Sequence, residues 1–280
     1  MAENAATAPR PARPGDSGAL RRRILSALVL VPVALGCVWI GRATTVPLVA
    51  LAAGLMAWEW GRLIGRLSST VDMLLFCGTA ALAVLAAGFL SIPAGAAVAA
   101  VGIAGLLVLG GNRRPAWTGL GMVWIILPCI GFAWLRGDSA AGFATALWVM
   151  LLVWAIDTAA YVAGRGLGGP KLAPQISPNK TWSGLLGGIV GAMVVGGVAG
   201  WLSETSALWR ITLLSGGLAV VEQIGDIAES YAKRRFGAKD SGSLIPGHGG
   251  LLDRLDGMLA VVTAVVLLQI VSGGSLLTGR

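Results

Sequence analysis

With 280 residues, 56% of them hydrophobic and 12% charged, and a mean hydropathy of +0.79, the chain lies far from the roughly 25% charged content of soluble domains. That balance excludes an ordinary soluble globular fold and points to an all-α polytopic integral membrane protein. The formal charge of +8 does not indicate a nucleic-acid partner, because the bases are scattered between apolar runs rather than gathered in one stripe. Anionic lipid surfaces and phosphorylated substrates remain.

In chain order, residues 1–23 are rich in Ala, Pro and Gly with scattered arginines, and read as a disordered cytoplasmic tail ending in Arg21, Arg22 and Arg23. The apolar run Ile24 to Gly41 resembles a signal peptide, and Ala34-Leu35-Gly36-Cys37 loosely resembles a lipoprotein cleavage box, but the length of the run favours an uncleaved first helix. Further candidate spans cover 46–60, 71–90, 94–111, 116–135, 142–163, 184–202, 209–228 and 256–273, giving about nine helices. Residues 24–140 form an N-terminal transmembrane region, and 141–280 a C-terminal one that carries the chemistry. Cys37, Cys77 and Cys129 each stand alone in apolar runs, without CxxC or histidine spacing, and read as packing residues.

An N-terminus on the inside places 17 of the 21 bases on the cytoplasmic face and leaves Arg42, Arg136, Arg210 and Arg280 outside. This positive-inside asymmetry predicts that the polar loops, 164–183 and 229–255, face the cytoplasm; the expected setting is a bacterial inner membrane. Trp58, Trp60, Trp117, Trp134, Trp201 and Trp209 fall near span ends, as an aromatic belt or simple packing would place them.

The first polar loop follows Asp157 and Tyr161, one turn apart near the end of the sixth span. Gly164, Gly166 and Gly169 match a GxGxxG string, but a membrane helix precedes them and Pro170 follows, so no strand-turn-helix unit exists to cradle a dinucleotide. The better reading is a glycine-rich turn whose backbone amides, with Arg165, Lys171, Ser177 and Lys180, surround phosphate oxygens. The bland alternative is a basic loop touching lipid headgroups.

The densest charge lies between Glu222 and Gly257, where six of the thirteen acids (Glu222, Asp226, Glu229, Asp240, Asp253, Asp256) accompany five bases and the single histidine. Ionisable groups at a membrane face are costly without a task. Glu222, Asp226, Glu229 and Lys233 recur every three or four residues and share one face of the eighth helix, with Ser230 beside them. Acids stacked this way repel unless cations neutralise them, and oxygen ligands suit Mg²⁺. Asp253 and Asp256 are three apart at the start of the ninth helix, where they serve either as metal ligands or as caps favoured by the helix dipole. Between these acids lie Lys233, Arg234, Arg235, Lys239 and Arg254; carboxylates for a metal and cations for phosphates together suit phosphoryl-group chemistry. His248, set among Gly247, Gly249 and Gly250, is read as a phosphate donor, a general base or a structural hydrogen-bonder. Asp253 to Ala260 also resembles the opening of the CDP-alcohol phosphotransferase motif, but Val261 stands in place of the arginine and no acid follows Asp256.

Ser230-Tyr231-Ala232-Lys233-Arg234, Lys239-Asp240-Ser241-Gly242, Pro246-Gly247-His248-Gly249-Gly250 and Leu252-Asp253-Arg254-Leu255-Asp256 together resemble the signature of the phosphatidate cytidylyltransferases. Asp157 with Tyr161, Gly164-Arg165, Ser177-Pro178-Asn179-Lys180-Thr181 and Gly225-Asp226 with Glu229-Ser230 resemble that family's other segments. Asn179 and Ser183 depart from it, standing where a lysine and a glutamate are common. The resemblance implies attack of phosphatidate on CTP, giving CDP-diacylglycerol and diphosphate, with Mg²⁺ and room for a second cation. It implies Asp226 and Asp253 as principal metal ligands, with Glu229, Ser230 and Asp256 in support. Asp226, Asp253, Lys239 and His248 are then the catalytic set, and Ser177, Lys180, Lys233, Arg234, Asp240 and Arg254 bind substrate. Membrane lipids are partners and a homodimer is left open. The rival activity is a CTP-dependent polyprenol or phytol kinase, which would release CDP; a transporter would need polar residues along spans one to five, which offer almost none.

Overall fold

The computed structural model describes residues 16–65, 69–109, 114–204, 208–245 and 249–277. These form α1 (Asp16–Ile40), α2 (Arg42–Leu63), α3 (Thr70–Phe89), α4 (Ile92–Leu109), α5 (Pro115–Arg136), α6 (Ala140–Leu167), α7 (Trp182–Leu202), α8 (Leu208–Arg235) and α9 (Leu252–Ser272), with two short strands, β1 (Lys171–Ala173) and β2 (Ser177–Thr181), between α6 and α7. Seven of these helices, α2, α3 and α5 to α9, are long and apolar enough to cross a membrane; Leu25–Ile40 and Ile92–Val108 are shorter apolar stretches.

Several helices outrun the apolar spans that suggested them: α1 begins at Asp16, within the segment read as a tail, and α2 covers Arg42–Leu63. α6 continues to Leu167, α8 to Arg235, and α9 begins at Leu252. Hydropathy marks where a membrane would end, not where backbone hydrogen bonding ends. The polar extensions are held by pairs one turn apart: Arg165 donates to the Tyr161 hydroxyl at 2.8 Å, and Lys233 pairs with Glu229. The all-α expectation also needs a small correction. Pro170 and Pro174, without amide hydrogens, disfavour a helix after Leu167, and β1 pairs antiparallel with β2, with Lys171 opposite Thr181 and Ala173 opposite Ser177. Thr181 then closes the hairpin and starts α7, its hydroxyl accepting from the Gly184 amide at 3.1 Å. Ser183 donates to the Gly168 carbonyl and shares a hydrogen bond with Thr181, which gives that position a local task.

Two apolar cores fill the bundle. One joins α2 to α5 through residues such as Met56, Phe76 and Met122; the other joins α6 and α8 through Trp148, Leu152 and Leu218. α5 and α9 belong to both: Ile125 and Leu259 pack in the first, Phe132 and Val262 in the second. Cys129 is buried and Cys37 and Cys77 half-buried, all free thiols. α7 presents Gly184, Gly188, Ala192, Gly196 and Gly200 as its buried stripe, and small residues at this spacing let helix backbones approach closely.

Contacts between connections sort them into two ends. At one, Arg114 donates to the Ile64 carbonyl at 2.7 Å, Trp60 to the Trp117 carbonyl at 2.8 Å, and Trp117 packs edge-on to Phe236. Trp60 and Trp117 are therefore packing residues. At the other end, Arg42 pairs with Asp138 at 3.1 Å, and Arg136 donates to the carbonyl of Val38 at 2.5 Å.

The small-residue stripe makes a prediction. A Cβ at Gly196 would strike Ser215 and come within 2.9 Å of the Ile211 carbonyl, whereas one at Gly197 meets only Thr212, at 3.5 Å. Gly196→Ala is expected to destabilise the protein by about 1–3 kcal/mol through overpacking, and Gly197→Ala to be neutral or stabilising, since alanine is the better helix former by about 1 kcal/mol. Thermal unfolding in detergent micelles measures both.

Candidate active site

α8 supplies the spine of the charged centre. Its residues Glu222, Asp226, Glu229 and Lys233 lie along one face, as their spacing dictates, and α9 packs against that face. The approach is close because two glycines allow it: a Cβ at Gly257 would lie 2.6 Å from Glu222 Oε1, and one at Gly225 would lie 2.5 Å from the Ala260 methyl. Close packing brings Asp253 and Asp256 of α9 to the acids of α8. From a third direction, the hairpin delivers Lys180.

Two lysines organise the carboxylates. Lys180 pairs with Asp226, their side chains 16% and 26% exposed, and its ammonium donates to Gln223 Oε1 at 3.0 Å. Gln223 in turn donates to Glu222 Oε2 at 2.6 Å. Asp157 on α6 lies within electrostatic reach of Glu222, Asp226 and Lys180, so α6, the hairpin and α8 contribute to one charged cluster. Lys233, 10% exposed, lies between Glu229 of its own helix and Asp253 of α9, the latter at 2.7 Å. Neither buried oxygen of Glu229 accepts a hydrogen bond, leaving this ion pair as its satisfaction.

Asp253 does more than cap. Its Oδ1 accepts from Lys233 at 2.7 Å and from the Ser241 amide at 3.0 Å. Its Oδ2 accepts from the same amide at 3.0 Å and from the Gly250 amide at 2.9 Å. One carboxylate thus ties α8, α9 and both ends of the intervening loop. Asp256 lies within electrostatic reach of Asp226, Glu229 and Lys233, and its Oδ1 accepts from the Gly257 amide at 2.8 Å.

The remaining sequence candidates fall at graded distances from this centre. Ser230 approaches Asp226 Oδ1 at 3.5 Å. Arg254 is exposed and within electrostatic reach of Asp157. Ser177, half-buried, is held in the hairpin opposite Ala173. Arg234 donates to the carbonyls of Ile176, at 3.3 Å, and Ala238, at 3.0 Å; its guanidinium ties the hairpin turn to the end of α8. Lys239 and Asp240 are exposed on the loop, and His248 lies outside the described residues.

Two members of the site are missing from the sequence expectation. Gln223 bridges Lys180 to Glu222, and an uncharged side chain in an acidic run gave no signal. Glu59 is wholly buried in α2 and accepts from Ser241 and from the first amides of α9. A lone acid between Trp58 and Trp60 in an apolar run was the available sign.

The chemistry of the centre suits a hard cation. It offers carboxylate oxygens with few donors, above all Glu229, whose Oε1 has no partner and whose Oε2 meets only the Lys233 ammonium, and such groups attract divalent ions that prefer oxygen. Among the described residues, no three of these acids already stand together as a cation-holding group; the lysines hold the positive positions.

Fold and site together define a polytopic helical membrane protein with an acid-and-lysine cluster at one end of the bundle. The chain belongs to the cytidylyltransferase family, whose model matches residues 21–271. A phosphatidate cytidylyltransferase of Brucella suis is 40% identical over 253 residues, covering 89% of this chain and 92% of that protein. The phosphatidate cytidylyltransferase of Pseudomonas aeruginosa is 35% identical over 267 residues, covering 91% and 98%. One from Staphylococcus saprophyticus is 42% identical over 142 residues, half of this chain.

The ion-pair arrangement predicts an asymmetry on mutation. Lys233→Met leaves Glu229 and Asp253 facing each other without a counter-charge and is expected to destabilise the protein by about 3–5 kcal/mol. Adding Glu229→Gln should recover part of that loss. Denaturation of the single and double variants, compared in a thermodynamic cycle, checks it.

Proposed function

We propose that this chain is a phosphatidate cytidylyltransferase, joining CTP and phosphatidate to give CDP-diacylglycerol and diphosphate at the cytoplasmic face of a bacterial inner membrane. The carrying observation is the convergence of Lys180, Asp226, Glu229, Lys233 and Asp253 from the hairpin, α8 and α9 at the bundle end where most bases lie. A lipid phosphate held at a membrane surface and a soluble triphosphate both require cations there, and such a centre supplies them beside acids.

In this reaction an oxygen of the phosphatidate phosphate attacks the α-phosphorus of CTP. A phosphorus–oxygen bond forms there as the bond to the β-phosphate breaks, and the electron pair leaves on diphosphate. Near neutral pH the attacking phosphate is already ionised, so no protein base is needed. Lys180, released from Asp226, would turn to the triphosphate, and Lys233 would hold the acids of α8 and α9 in register. Arg254 and Lys239 add positive charge beside the cluster, where electrostatic stabilisation of the transferring group is the largest contribution a protein can make. Asp226, Glu229, Ser230 and Asp256, with Asp253 behind them, would hold Mg²⁺, which when bound supplies charge neutralisation on the phosphates. A second cation would draw on the same acids. The seven long helices and the two shorter ones form nine membrane crossings in this reading, with the hairpin and the α8–α9 loop inside.

Purified protein incubated with CTP labelled at the α-phosphate, phosphatidate and Mg²⁺ should yield labelled CDP-diacylglycerol and unlabelled diphosphate. Labelled CDP with a phosphorylated lipid would instead mean a kinase. Asp226→Asn should lower turnover by about 10²-fold or more while leaving the unfolding temperature nearly unchanged; removing a charge contact to the transferring group costs several kcal/mol of barrier.

Orientation is tested separately. In a variant lacking the three native cysteines, Ser243→Cys should resist a membrane-impermeant maleimide in intact cells and react in inverted vesicles. Labelling in intact cells would reverse the assigned topology.

A further inference from the structure

We propose that Glu59, in the N-terminal half of the bundle, is a positioning residue for the transfer reaction. Its carboxylate fixes the start of α9 and the loop before it, and so aims Asp253 and Asp256 into the cluster. The proposal rests on the cluster being the active site, as assigned above.

The geometry is specific. Glu59 is fully buried. Its Oε1 accepts from the Leu251 amide at 3.0 Å; its Oε2 accepts from the Leu252 amide at 2.8 Å and from the Ser241 hydroxyl at 3.2 Å. The N-cap position of α9, Leu251, has no capping side chain of its own. A carboxylate from a helix 192 residues away does that work instead. The free amides of a helix start and the positive end of its dipole both favour a negative charge there.

The space around the carboxylate is shaped for it. A Cβ at Gly250 would lie 2.8 Å from both Glu59 oxygens, and one at Gly242 would lie 2.5 Å from Oε1. Gly242 therefore makes room for this acid, and Gly250 for the acid together with the Ser241 hydroxyl, which would lie 2.1 Å from a Cβ there. Ser241 joins the two halves of the arrangement: its hydroxyl donates to Glu59 and its amide to both oxygens of Asp253. Displacement of Glu59 would thus reach Asp253 through one residue, and Asp256 through the first turn of α9.

A purely structural acid would change stability alone. A positioning residue changes turnover per folded molecule, because misplacing a reacting group by about 1 Å can cost on the order of 10²-fold in rate. Glu59→Gln keeps the shape but replaces one accepting oxygen by an amide donor that faces another donor. Full-length Glu59→Gln is expected to fold, to lose about ten- to a hundredfold in kcat, and to change KM for CTP by less than about threefold. Glu59→Asp, which keeps the charge on a shorter arm, should recover part of the kcat. In hydrogen exchange, the segment 241–252 should exchange faster in Glu59→Gln, while α6 and α7 keep their rates.

The exchange measurement does not depend on which reaction is catalysed. Faster exchange in an enzyme found to make CDP would keep the positioning role and overturn the cytidylyl-transfer reading. Unchanged exchange of 241–252 would overturn the proposal, and so would wild-type kcat per folded molecule in Glu59→Gln. If Glu59→Gln does not fold, Ser241→Ala, which removes only the hydroxyl link, takes its place: kcat unaltered in that variant, with Glu59→Asp also fully active, refutes the coupling.

Discussion

The ion pairs of Lys233 are the constraint on which the rest of the charged centre depends. An ammonium 10% exposed, against acids 1% and 8% exposed, is costly to bury and tolerable only with close partners. Because Glu229 belongs to the same helix and Asp253 to the next, the lysine fixes the register of α8 against α9. Asp253, once fixed, collects the Ser241 and Gly250 amides and closes the loop between those helices.

Lys180 plays a different part because its setting is wetter. Its pair with Asp226 is partly exposed, and the strand that carries it is anchored by backbone pairing and by Arg234 rather than by apolar packing. A partly exposed pair is held less tightly than a buried one, so this lysine can exchange a carboxylate for a phosphate at less cost than Lys233 could. One lysine builds the cluster and the other is available to serve it.

Much of this was legible in the sequence. The apolar runs gave the helices and the three- and four-residue spacing gave the acidic face of α8, since both are local periodicities. The ends of α6, α8 and α9 were not legible from hydropathy, because Tyr161–Arg165 and Glu229–Lys233 sustain helix beyond the apolar stretch. The hairpin reads from sequence as a turn because two strands of three and five residues, one of them containing Pro178, leave no alternation to detect. From sequence Asp253 reads as ligand or cap; in the structure it takes four hydrogen bonds from three donors, two of them loop amides, a long-range role that no local pattern encodes. Gln223 and Glu59 were overlooked for the same reason, as their partners come from the hairpin and from α9.

The separation of Glu59 from its partners also bears on how the protein is made. The amide of Leu251 follows Glu59 by 192 residues, and ribosomes add about 5–20 residues per second. During those roughly 10–40 seconds, α2 lies in or beside the membrane with an acid whose destined donors do not yet exist. The first five helices therefore emerge without the donors that this acid meets in the mature protein. Those contacts wait on α9, and a chain halted before residue 251 would expose an unsatisfied carboxylate that quality-control proteases could recognise as the mark of an unfinished protein.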